Sequence, residues 1–100
     1  MSVLMVLRVA GDPKGVEATD SQVFKEVVEK AVGMGAHKHR FFTNGSEIMV
    51  VDEWDDEESF QAFFDSTPEI PQIMANAGVT TAPTVEFWQR MEVDDALNWA

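Results

Sequence analysis

The chain contains no cysteine, so disulfides, thiolate nucleophiles and cysteine-ligated zinc are excluded. Basic residues are scarce, with 7 Lys and Arg against 18 Asp and Glu for a formal net charge of −11. A phosphate backbone or an anionic lipid surface repels such a chain, which argues against nucleic-acid and membrane partners. The plain reading of the excess acid is solubility. No apolar run approaches the roughly 20 residues of a membrane span. The opening "MSVLMVLRVA" lacks the basic start of a secretory signal and meets Arg8 early, so a cytoplasmic location is expected. There is no glycine-rich phosphate loop and no G-x-S-x-G elbow, and "GDPKG" reads as a turn without the helix-opening context of a P-loop.

What is present is apolar bulk. One hundred residues, 45% of them apolar, include seven Phe, six Met and three Trp. That length makes one domain, residues 1–100, with 93–100 as a tail. A chain this short buries only about two-thirds of its unfolded surface. So much apolar matter therefore forms a dense core or meets a partner.

Periodicity supplies the elements. "SVLMVLRVA" is a strand apolar on both sides, with Val3, Met5, Leu7 and Val9 on one and Leu4, Val6 and Ala10 on the other. "ATDSQVFKEVVEKAVG" carries Phe24, Val27, Val28, Ala31 and Val32 at helical spacing, with Thr19 and Gln22 as a capping box and Gly33 as the stop. "HKHRFFTNGSEIMVVDEW" reads as a hairpin turning on Asn44-Gly45, both at positive φ. That two-residue turn sets Thr43 opposite Ser46, His39 opposite Val50 and His37 opposite Asp52. "DDEESFQAFFDS" is a second helix with Phe60, Phe63 and Phe64 on one face. "TPEIPQIMANAG" starts a third, capped by Thr67, with Ile70, Ile73, Met74 and Ala77 inward and Gly78 at its end. "APTVEFWQRME" is the last strand.

The order βαββαβ defines an α+β, ferredoxin-like fold, an antiparallel sheet of order 4-1-3-2 with its helices on one face. The first strand is central in that order and apolar on its uncovered side as well. Pairing two sheets face to face covers it, so a homodimer is expected.

The stretch "VVDEWDDEESFQAFFDSTPEI", with the hairpin "RFFTNGSEIM" before it, resembles antibiotic-biosynthesis-monooxygenase-type domains of the dimeric α+β barrel superfamily. The likeness covers nearly the whole chain. It implies a dimeric α+β barrel and, among the activities of that superfamily, cofactor-independent oxygenation of a small aromatic or polyketide-like compound. No cofactor is implied. Many members carry a His nine residues after the Trp, where this chain has Phe63. Heme-degrading members carry an iron-binding His one helix further on, where "IPQIMANAG" offers Ile73, and an Asn on the first strand, where this chain has Leu7 or Arg8. Heme degradation is not expected. A non-catalytic dimeric module, binding a small ligand or regulating a partner, is the other reading of the same fold.

The candidate catalytic residues are His37, His39 and Asp52. Two His and a carboxylate are the inventory of a mononuclear metal site, and a His can also be the base of a cofactor-free oxygenase. The plainer reading is a structural hairpin whose histidines are surface groups, with His37 and Asp52 a cross-strand pair. Lys38 and Arg40 raise the local positive charge, and no metal is expected. Arg8, a charge on an apolar central strand, needs either an ion-pair partner across the dimer, such as Glu86 or Glu53, or an acidic, phenolate-like ligand. Trp54, Phe63, Phe87 and Trp88 are the candidate substrate-binding aromatics, with ordinary core packing as the alternative.

Overall fold

The structure is a computed structural model that describes residues 2–98. The elements in chain order are β1 Val3–Ala10, α1 Pro13–Glu17, α2 Ser21–Gly33, β2 Ala36–Thr43, β3 Glu47–Trp54, α3 Glu57–Ser66, α4 Glu69–Asn76 and β4 Thr84–Gln89. The four strands form one antiparallel sheet of order β2-β3-β1-β4. This is the ferredoxin-like order expected from the sequence. Residues 99 and 100, the end of the expected tail, lie outside the described residues.

Alternation on β1 fixes the two faces of the sheet. Met5, Leu7 and Val9 are buried on the inner face, beneath the helices. Trp54 and Ile48 of β3, Phe60 and Phe63 of α3, and Ile73 of α4 close the core over them. Trp54 is fully buried, its ring 5.7 Å from Phe60 and 5.1 Å from Phe63. On the outer face Leu4, Val6, Met49 and Val51 are half-buried, whereas Phe42 and Trp88 are 49% and 56% exposed.

The helix ends depart from expectation in instructive ways. "GDPKG" opens a one-turn helix, α1, because Asp12 accepts from the Lys14 amide at 2.9 Å and Pro13 suits the first position. Gly15 lets α1 sit against the end of α4, since a Cβ there would lie 2.2 Å from the Asn76 carbonyl oxygen. Asp20, not Thr19, caps α2 through the Gln22 amide, and Thr19 instead donates to the Gly15 carbonyl. Thr67 closes α3 rather than opening α4. Its hydroxyl is buried and donates to the Phe63 carbonyl at 2.6 Å, so no side chain is left to cap α4.

Helix α2 is the loosest part of the inner layer. None of its residues is fully buried, and Val28 and Val32 on its apolar side are 41% and 62% exposed. Phe24 meets Phe41 of β2 edge-on at 5.7 Å, and the Lys30 ammonium donates to the Ser66 carbonyl at the end of α3. These contacts hold α2 over the sheet edge without filling the space beneath it.

Candidate functional site

The turn chemistry of the β2–β3 hairpin decides which residues meet. The Asn44 side chain accepts from the amides of Ser46 and Glu47, at 3.1 and 2.8 Å, which makes the loop longer than a two-residue turn. Gly45 has φ 101°, and Asn44 is not at positive φ. Thr43 therefore pairs with Ile48, and His39 with Asp52 rather than Val50. An irregularity between Ala36 and Lys38 then carries His37 off the ladder. The expected His37–Asp52 pair does not form.

Asp52 instead joins His39 and Trp54. Its Oδ1 lies 2.7 Å from His39 Nδ1, and its Oδ2 accepts from Trp54 Nε1 at 3.1 Å. Trp54 is two residues along the same strand and thus on the same face. The carboxyl is buried at 6% exposure, and these two hydrogen bonds are what make that tolerable. Among the described residues no buried side-chain N or O lacks a partner. Where the carboxyl is ionised it only accepts hydrogen bonds, and the proton of the pair then sits on His39 Nδ1. In the neutral ring Nε2, on the other edge, then keeps its lone pair. The ring edge packs against Phe41 with centroids 5.0 Å apart.

His37 has a separate partner. Its Nε2 is 2.5 Å from Asp55 Oδ1, and both side chains are about half exposed, at 49% and 57%. The Asp55 amide donates to the Gly35 carbonyl at 2.9 Å, which ties this pair to the entry of β2.

A cavity of about 320 Å³ lies between the inner face of the sheet and α2, α3 and α4. Leu7, Phe24, Val27, Phe41, Val50 and Phe63 are among its walls, and its polar lining residues are His37, Lys38, His39 and Asp52. The candidate residues divide accordingly. His37, His39, Asp52 and Phe63 share the cavity, and Trp54 braces Asp52 from the core. Phe87 packs on Phe60 at 5.7 Å and does not line the cavity. Trp88 and Arg8 lie on the outer face, where Arg8 meets Glu47 of its own chain at 3.6 Å. Arg8 cannot anchor a ligand in this cavity.

Sequence reasoning passed over the contribution of α2, namely Phe24, Val27, Val28 and Val32. The signal was its apolar face, broader than the core could cover. Among the described residues no group of three or more His, Asp and Glu is arranged to hold a metal ion. No described helix is long and apolar enough to cross a membrane.

This is an α+β sheet-and-helix layer with an apolar cavity and, at its wall, a partly exposed His39 on the buried Asp52 and Trp54. No protein-family model matches the chain, and no curated protein does. Solved structures do match. The monooxygenase ActVA-Orf6 of Streptomyces coelicolor, solved with nanaomycin D, superposes with a TM-score of 0.66 at 15% identity over 95% of this chain and 93% of its own. SnoaB, a cofactor-independent oxygenase from Streptomyces nogalater, gives 0.62 at 15% identity over 95% and 98%. A conserved protein from Methanosarcina mazei Go1 gives 0.65 at 15% identity over 91% and 94%. The chain has the fold of antibiotic-biosynthesis-monooxygenase-type proteins. At these identities the likeness speaks for fold alone.

Proposed function

We propose that the protein binds a small, largely apolar aromatic compound in the cavity beneath α2 and oxygenates it without a cofactor. The observation that carries this is the cavity of about 320 Å³, apolar apart from the wall formed by His37, Lys38, His39 and Asp52. Ligand sites combine apolar walls with a few convergent polar groups, and this volume suits two or three fused rings. In cofactor-free oxygenation the substrate supplies the electrons. A base removes a proton from an electron-rich phenol or enol, O2 adds to the resulting anion, one oxygen atom stays as a carbonyl in place of two hydrogens, and the other leaves as water. His39 is the base in this reading. The fold neighbours ActVA-Orf6 and SnoaB, whose names state monooxygenase and cofactor-independent oxygenase, support it by analogy of fold.

Phe63 favours a second reading. It lines the cavity at the position where many proteins of the resembled family carry a His, and a non-catalytic ligand-binding module would need no base there. Oxygen uptake separates the two. A panel of anthrones and hydroquinones should give substrate-dependent uptake that falls at least about a hundredfold in His39→Ala, in the range of general-base losses. Binding without uptake across the panel would leave the module reading.

The outer sheet face is proposed to pair with a second copy. Phe42 and Trp88 are exposed there beside the half-buried Leu4, Val6 and Val51, an apolar surface of the kind that marks an interface. Sedimentation should give a dimer at micromolar concentration, shifted toward monomer by Val6→Lys. A stable monomer sinks the pairing.

A further inference from the structure

The hydrogen bonds around Asp52 also specify what kind of ligand the cavity selects. We propose that Asp52, held by Trp54, is a positioning residue that presents His39 Nε2 to the cavity as a hydrogen-bond acceptor. The site then prefers aromatic ligands that donate a hydroxyl over those that offer only an ether or carbonyl oxygen. This rests on the cavity being a ligand site.

Three observations carry the inference. The indole Nε1 of Trp54 is a donor only, and Trp54 is fully buried, so its partner atom must be an acceptor. Asp52 gives one oxygen to that indole and the other to His39 Nδ1, and a carboxylate has no proton to offer in return. His39 lines the cavity and makes its described ring hydrogen bond through Nδ1. Nδ1 therefore carries the hydrogen, and the neutral ring offers a lone pair at Nε2. Of the other polar groups at this wall Lys38 only donates, and His37, with Nε2 on Asp55, keeps a lone pair at Nδ1, so His39→Leu is what assigns the acceptor to His39.

The same logic makes Asp52→Asn a reversal rather than a simple loss. The buried indole still demands an acceptor, so the amide oxygen must face Trp54 and the amide NH2 must face His39 Nδ1. Nδ1 then accepts, and the proton moves to Nε2. The wall changes from acceptor to donor with almost no change in shape.

The test measures binding of naphthalene, 2-naphthol and 2-methoxynaphthalene to the wild-type protein, Asp52→Asn and His39→Leu, at about pH 8, where a free imidazole is neutral. Nitrogen-15 NMR of the histidine rings reads the tautomers directly. The expected result is that wild type binds 2-naphthol about tenfold tighter than 2-methoxynaphthalene, the size of one hydrogen bond gained in a shielded site. Asp52→Asn should abolish or invert that ratio while binding naphthalene as before, with the proton of His39, and not of His37, moved to Nε2. His39→Leu, at a partly exposed position, should bring 2-naphthol to the affinity of naphthalene, and it decides the matter if Asp52→Asn does not fold. Equal binding of the two oxygenated probes by wild type, or a wild-type ratio in the folded variants, would overturn the inference and leave the cavity a ligand site. No binding of any probe, naphthalene included, would overturn both.

Discussion

Two histidine–aspartate pairs flank one another on β2, and their contact distances are alike, 2.5 Å for His37–Asp55 and 2.7 Å for His39–Asp52. Their surroundings differ. The Asp55 side chain is 57% exposed, and the Asp52 side chain 8%. Water and salt screen the first pair, and such surface pairs contribute roughly 0–1 kcal/mol. The second has Trp54 behind it, and a carboxylate in that position is oriented from two sides. Distance alone does not distinguish a surface pair from a pair that can set chemistry. The third partner does.

The largest way to break the contrast is to remove that partner. Trp54→Ala takes away a fully buried indole packed on Phe60 and Phe63, and should cost about 3–5 kcal/mol. Asp52→Ala leaves the indole N–H buried without an acceptor, and should cost about 1–3 kcal/mol. Urea unfolding measures both through the midpoint, provided the slope is unchanged. A loss below about 0.5 kcal/mol for Asp52→Ala would show that the triad is not held as described.

How much of this was legible beforehand follows from the scale of each feature. The strand and helix order is written in residue spacing, and β1, with Met5, Leu7 and Val9 on one side, marks the inner face without ambiguity. The turn at Asn44-Gly45 was visible, but its type was not, because the Asn44 side chain takes up two backbone amides that a tight turn would leave free. The register moved by two residues. A shift of two keeps every side chain on its face, so His39 stayed inward while its partner changed from Val50 to Asp52. The irregularity that parts His37 from the ladder has no sequence signature, since it answers to Gly35 and Asp55 at the strand end. The cavity was illegible for a different reason. It is the space that α2 leaves uncovered, and the wide apolar face ending in Val28 and Val32 was its only trace.

A smaller effect sharpens the exposed side of the comparison. Gly35 has φ +115°, and a Cβ there would lie 2.8 Å from Asp55 Oδ2. Gly35→Ala should therefore cost about 1–2 kcal/mol, from backbone strain and displacement of Asp55. Asp55→Ala, which deletes the same surface pair without strain, should cost less than about 1 kcal/mol, and less again at high salt. Neither should change the ring tautomer of His39. A changed tautomer in either variant would mean that the two pairs are coupled, and the separation drawn between them would fail.

The smallest effect is on pH dependence and belongs to Asp56, the neighbour of Asp55. Asp56 caps α3, accepting from the Ser59 amide at 2.8 Å. A hydrogen bond from the Ser59 side chain, and then that amide, hold its carboxyl below the ordinary 3.8. The folded value is depressed, so the associated stability is fully present above 3.8 and is lost as the pH falls through the folded value. Asp56→Asn keeps the cap, so it should match wild type near neutrality and lose less stability on acidification. Asp56→Ala removes the cap and should be weaker at every pH. Unfolding midpoints taken between about pH 3 and 7 compare the three. If Asp56→Asn follows the wild-type acid slope, that slope comes from other carboxylates, and the cap is pH-insensitive although fully exposed.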